Sequence, residues 1–300
     1  MLKLPLQPLL LQTDKANRFS LGENVNALAL QAILCEVSAS PKPGLVDRYN
    51  SGAHKDMDFF TFLSSAIALD GYFKLFVELG QKYQHCEISE LLEKLRLTGI
   101  EAEKSMFVAT GGINTHKGMI FSLGVLCGAV GWLYGKKELT AANLYDTTKA
   151  MCQNLCTAEY RNLKYKSMLT KGEQIFLKYG ITGIRGEAQS GFSTIKEVSY
   201  PVFKQLMKKD TFLNDVLVQT LLHLIAHTDD TNIIARHNLS VAQYAKEEAK
   251  KALTLGGITT TKGLAYIRQM DVTFIEKNIS PGGCADLLAV THFLYCLENI

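Results

Sequence analysis

The sequence predicts an all-α protein, and three observations carry that expectation. Apolar residues recur at helical spacing through ten segments. Runs alternating with period two are few, and none is long enough to make a sheet convincing. Proline and glycine punctuate the borders of the periodic segments, where helices start and stop.

Residues 24–38 read as the first helix, stopped by Pro41 and Pro43, because a residue preceding proline is pushed out of the helical region. Residues 59–79 read as a second helix, with Asp58 or Asp56 as its N-cap. Residues 89–109 place Leu91, Leu92, Leu95, Ile100 and Phe107 at roughly helical spacing and close at Gly111 as C-cap. The apolar run 119–134, interrupted by Gly124, Gly128 and Gly131, is too short to span a bilayer and reads as a buried helix. Residues 141–162, 200–207, 213–226, 240–253, 261–270 and 284–297 continue the pattern, while 165–189 mixes helix with glycine-rich loop.

No proline-rich or low-complexity linker divides the 300 residues, so one domain over 1–300 is expected, with 1–20 peripheral. The net charge of +3 is too small for a nucleic-acid binder, which needs a clustered basic stripe. Seven cysteines at irregular spacing complete no zinc site and read as reduced thiols. The apolar N-terminus lacks a small-residue cleavage site. A cytoplasmic protein without membrane contact is therefore expected, and a homodimer is compatible with the composition.

Residues 36–58 are the most informative stretch. Four carboxylates, two lysines, Arg48 and His54 surround two prolines and two glycines directly after an apolar helix. A stiff loop presenting both charge signs suits an anion with a bound cation, such as a nucleotide with magnesium.

Four further constellations bear on chemistry. The turn Gly111-Gly112-Ile-Asn114-Thr-His116-Lys117-Gly118 opens a helix whose free N–H groups and dipole attract phosphate. It is not a P-loop: His116 replaces a required glycine, and Gly118 replaces the magnesium-binding Ser or Thr. Residues 256–263 repeat six of its eight positions, read as shared turn chemistry. His223, His227, Asp229 and Asp230 end an apolar helix, but Leu224 excludes a zincin, and paired aspartates suit magnesium better. His54-Lys-Asp56-Met-Asp58 offers two oxygens to a metal, or a helix cap. Arg185 in GIRGEAQ suits a polyphosphate, and Asp286, in the first turn of the last helix, is a further candidate that a dipole role alone could also explain.

Together, five segments resemble the triphosphoribosyl-dephospho-CoA synthase family: PKPGLVDRYNSGAHKDMD (41–58), GGINTHKGMIFSLG (111–124), GIRGEAQSGF (183–192), HTDDTNIIARH (227–237) and SPGGCADLLAVTHFL (280–294). Each is weak alone; in this order, over about residues 25–295, the set is specific. The resemblance implies an all-α fold and a pentosyl transfer. ATP and 3′-dephospho-CoA give 2′-(5″-triphosphoribosyl)-3′-dephospho-CoA and adenine. That product would pass to the holo-synthase that loads the acyl carrier protein of citrate lyase or malonate decarboxylase.

On this reading Asp56, Asp58, Asp229 and Asp230 hold Mg²⁺ and triphosphate. Lys42, Arg48, Lys117 and Arg185, with Gly111, Gly112 and Asn114, contact the nucleotide. Glu36 or Glu187 serves as general base and His116 as proton donor to adenine. Phe121, Tyr134 and Phe192 line the pantetheine arm. The competing expectations are a metal-dependent helical nucleotide phosphohydrolase, against which the absence of any His-Asp dipeptide speaks, and a non-catalytic nucleotide-binding module.

Overall fold

The computed structural model describes residues 19–299 apart from Asn162. Helices account for its regular structure, and the described residues contain no strand. In order they are α1 (Leu21–Ser38), α2 (Phe59–Ala68), α3 (Tyr72–Lys82), α4 (Ile88–Ala109), α5 (Lys117–Leu133), α6 (Ala141–Met151), α7 (Leu155–Tyr160) and α8 (Lys171–Tyr179). They continue with α9 (Gly183–Ser190), α10 (Tyr200–Lys208), α11 (Leu213–His227), α12 (Thr231–Arg236), α13 (Leu239–Thr254), α14 (Thr261–Glu276) and α15 (Gly282–Glu298). Short helical turns at Leu163–Tyr165, Ile195–Ser199 and Gly257–Thr259 link some of them.

The centre of the bundle is α5, whose residues from Met119 to Leu133 are almost all buried, as the apolar run 119–134 predicts. Such a helix is apolar all round because neighbours cover every face. It packs on α3, α4, α6 and α15, while α1 lies across α3 and α15. Close approach is built in: at Gly80 and Gly131 an added methyl group would run into the facing helix backbone. One continuous apolar cluster runs from Val25 to Leu297.

Three boundaries differ from the sequence expectation. The 59–79 helix is two helices, broken at Leu69–Gly71. Gly71 turns the chain at φ 84°, its N–H donates to Asn26 Oδ1, and Asn26 Nδ2 donates to Asp70 at 2.7 Å. A polar side chain from α1 thus fixes a break that periodicity does not show. The 141–162 helix likewise divides at Cys152–Asn154, and α12 is an additional short helix begun by its Asp230 cap. The stretch Phe59–Lys82 (24 residues, mean hydropathy 1.3) passes a length-and-apolarity test for a membrane span. It is interrupted by that same turn and packs on α1, α4 and α5.

Candidate active site

The charged loop after α1 folds over the N-terminal ends of α5, α12 and α15, and a cleft of about 980 Å³, open mouth included, lies between them. Its enclosed part, about 320 Å³, falls within the range of small-molecule sites. Glu36, Lys42, His54, Asp56, Asn114, Lys117, Asn232, Arg236 and Asp286 supply its polar wall. Leu45, Met57, Phe62 and Met119 supply apolar surface.

The loop is held by its own carboxylates. Asp47 accepts from the N–H groups of Tyr49 and Asn50, and Asp271 of α14 accepts from Gly44 N–H at 2.9 Å and from Asn50. At the base, Lys42 and Glu36 form a fully buried ion pair. Burial raises the Glu36 carboxyl, and the Lys42 ammonium offsets part of that rise.

Asp286 is the distinctive group. Among the described residues no hydrogen-bond donor meets its carboxylate, which keeps part of its surface open to the cleft. Burial, with the Glu36 and Asp230 carboxylates close by, pushes it well above the ordinary carboxylate range. The backbone of α5 backs against it at Gly118, where a methyl group would collide with Asp286 Oδ2. An unpaired carboxylate beside two others is costly unless a cation or a developing positive charge meets it.

At the rim, Arg236 donates to Ala53 O, to Asn278 and to the His54 ring at 3.1 Å. His54 also meets Ser280 Oγ at 3.0 Å and lies 3.7 Å from Asp56. Burial and the Arg236 charge lower the His54 pKa, so the ring is neutral near pH 7. Lys117, also on this rim, pairs at 2.9 Å with Glu103, which lies outside the cleft.

Of the expected site, Glu36, Lys42, Asp56, Asn114 and Lys117 line this one cleft. The rest are elsewhere or otherwise engaged. Asp58 caps α2 by accepting from Thr61 N–H, and Asp229 pairs with Lys246. Asp230 stands behind the cleft wall, accepting from the N–H groups of Asn232, Ile233 and Cys284, so it joins α12 to α15. The four-aspartate magnesium set therefore does not assemble. Among the described residues no three His, Cys, Asp or Glu side chains are grouped as metal ligands, His223 and His227 included. Arg48 bonds Asn214 and covers Tyr49 on the surface. Gly111 and Gly112, both in the left-handed region, turn the chain out of α4 and do not line the cleft.

His116 is also corrected. It caps α5 fully buried, and burial, then the Lys42 charge, lowers its pKa to about 3. Thr115 Oγ1 donates to Ser65 Oγ, which meets His116 Nδ1 at 2.6 Å. Nε2 of the same ring is buried and meets no hydrogen-bond partner among the described residues. A ring so held is neutral at pH 7 and carries no imidazolium proton for adenine. Glu187 is bound by Thr194, Oγ1 to Oε1 2.5 Å, outside the cleft.

A second cleft of about 880 Å³ opens on the other side of Lys117 and Gly118, between α4, α5, α7 and α9. Its floor is apolar, with Phe76, Leu95, Ile120 and Phe121. Charges stand at its edge: Arg185 pairs with Glu159, and Arg96 approaches the same carboxylate at 4.0 Å. Phe121 lines this cleft, whereas Phe192 is in the core and Tyr134 is half exposed at the end of α5. Sequence reasoning missed Asn232 and Arg236 and left Asp286 between a helix-dipole role and a functional one. The first two stand four apart on α12, a spacing that puts both on one face.

Residues 22–300 match the model of a family described as ATP:dephospho-CoA triphosphoribosyl transferase. A 2-(5''-triphosphoribosyl)-3'-dephosphocoenzyme-A synthase of Klebsiella pneumoniae is 41% identical over 274 residues, 91% of this chain and 90% of the relative. One of the same name from Escherichia fergusonii is 38% identical over 284 residues, 94% of each chain. No solved structure matches. With a match over nearly its whole length and relatives near 40% identity, the chain belongs to the ATP:dephospho-CoA triphosphoribosyl transferase family.

Proposed function

We propose that this chain moves the 5-triphosphoribosyl group of ATP onto the 2′-hydroxyl of 3′-dephospho-CoA and releases adenine, with the polar cleft as the site of ATP. The observation that carries the assignment is the Asp286 carboxylate, unpartnered and facing a cleft whose rim is cationic.

The chemistry asks for that arrangement. The C1′–N9 bond breaks while a bond forms between C1′ and the acceptor oxygen. The hydroxyl proton leaves to a base, and adenine departs with the electron pair and takes up a proton. Positive charge develops on the ribose, and a carboxylate fixed beside it stabilises that charge without reorganising. Asp286 is suited to this, and to receiving the hydroxyl proton, because burial makes it more basic than an ordinary carboxylate. Glu36, tied to Lys42, keeps the local field negative without being free to accept.

The triphosphate is transferred intact, so its charge needs holding without activation of the γ-phosphate. Lys117 and Arg236 offer that at the rim. Magnesium is part of the same proposal. Asp56, its carboxylate largely exposed at the cleft, is a hard oxygen donor. One carboxylate and no all-protein cage is the pattern of a Mg²⁺ that takes most of its ligands from phosphates and water. Bound there, the ion would neutralise phosphate charge.

A product passed to the holo-synthase of an acyl carrier protein, and a cytoplasmic location, fit this activity. The test supplies ATP, Mg²⁺ and 3′-dephospho-CoA and follows products by mass. Free adenine in equal amount to the adduct is expected. ADP or inorganic phosphate in place of adenine would indicate hydrolysis, and ligand-induced stabilisation without turnover would indicate a binding module.

A further inference from the structure

We infer that the apolar cleft between α4, α5, α7 and α9 receives the pantetheine tail of the acceptor, so that the two substrates meet across Lys117 and Gly118. This rests on the transfer reaction proposed above and adds to it a second subsite.

The two clefts share Lys117 and Gly118 as a common wall. A ligand with its reacting hydroxyl at the Asp286 carboxylate has two directions open to it. One leads along the cationic rim of the polar cleft, which suits a triphosphate. The other leads past Lys117 onto an apolar floor. ATP has no aliphatic chain to place there, and its one apolar surface, the adenine ring, must lie beside Asp286 where its bond to ribose breaks. Dephospho-CoA does: beyond its diphosphate it carries a mostly aliphatic tail with two amides.

The mouth carries cations that a diphosphate can meet. Lys117, Arg96 and Arg185 stand there, paired with Glu103, Glu93 and Glu159, three cations to three carboxylates. The diphosphate would cross at this point. The floor beyond is shaped by missing side chains. At Gly124 an added methyl group would come within 2.8 Å of the Phe76 ring, so nothing larger fits. At Gly99 the nearest atom to such a methyl is Phe76 Cζ at 4.0 Å, so the space there is open.

Gly99 therefore gives a clean test, since a larger residue fills the cleft and strengthens an α-helix. Wild type, Gly99→Ala and Gly99→Leu are compared with dephospho-CoA and with ADP, which is the same acceptor without its tail, at saturating ATP. Wild type is expected to prefer dephospho-CoA by well over tenfold in kcat/KM, since each apolar group seated in a pocket contributes roughly that much. Gly99→Leu should erase most of the preference through a raised KM for dephospho-CoA, Gly99→Ala a smaller part, with KM for ATP within about twofold. Equilibrium titration of wild type with dephospho-CoA and with ADP should show the same preference without any variant. Equal use of the two acceptors by wild type, or an unchanged KM for dephospho-CoA in folded Gly99→Leu, would overturn the inference. Wild type that releases no adenine with either acceptor fails at the underlying reaction instead, and the inference falls with it.

Discussion

The two clefts on either side of Lys117 and Gly118, enclosing about 320 and 200 Å³, are opposite in how they treat charge. In the apolar cleft the carboxylates at the edge, Glu103 and Glu159, face cations. In the polar cleft one carboxylate, Asp286, is left without a donor and has two others for company. Paired charge at an edge is weakly stabilising and positions what passes. An unpaired carboxylate facing a cleft costs stability, and groups perturbed in this way cluster at working sites. The contrast assigns chemistry to one cleft and reach to the other.

The largest effect that could break this contrast is at Asp286. Asp286→Asn should lower adenine release by about 10²–10⁴-fold, the usual range for a lost acid–base or charge-stabilising group. KM for dephospho-CoA should change little in a steady-state assay. Gly118→Ala comes next. Its methyl group displaces the Asp286 carboxylate, and a displacement of that kind costs about 10²-fold in kcat.

Charge at the shared wall sharpens the comparison further. Lys117→Met should raise KM for both substrates by about tenfold each, whereas Arg236→Met should do so for ATP alone. Equal effects of the two variants would dissolve the distinction between the clefts. Asp229→Asn, on a residue engaged by Lys246 away from both clefts, should leave turnover and its magnesium dependence within about twofold.

The smallest effect is on stability. His116 is held neutral with a pKa near 3 in the folded chain, while an unfolded imidazole takes up a proton near 6.5. Between those values the unfolded state binds more protons, so stability falls as pH falls below about 6.5 and recovers as pH rises. One such group contributes a slope of up to about 1.4 kcal/mol per pH unit. Urea unfolding of His116→Gln and wild type from pH 7 to pH 5 should show a shallower decline in the variant. Parallel declines would mean that the ring is not buried neutral.

How much of this was legible in the sequence depends on how local each cause is. The helices were, because burial of one face repeats every three to four residues. The α2–α3 break was not, since Asn26 imposes it from 45 residues away. Within the site, Glu36, Lys42, Asp56, Asn114 and Lys117 could be read from stiff, charged turns that have no use in a core. Asp58 and Asp229 share that residue type and fail for a reason hidden from the sequence: each already has a partner. Asp286 is left open by the sequence, which offers a helix dipole as an alternative to a functional role. As the fifth residue of α15 it lies past the first turn, so the dipole does not account for it.

The last helix is pinned at both extremities. Near its start, Cys284 N–H is gripped by Asp230 at 2.8 Å. Near its finish, Glu298 accepts hydrogen bonds from Lys204 at 2.8 Å and from Tyr200. A 17-residue helix is a rod of about 25 Å, and such a rod transmits a shift at one tip to the other. Fusing a purification tag or a partner domain just beyond Glu298 would then tug on the carboxylate at the far end, so a chain fused there can lose turnover while every group that touches substrate is intact.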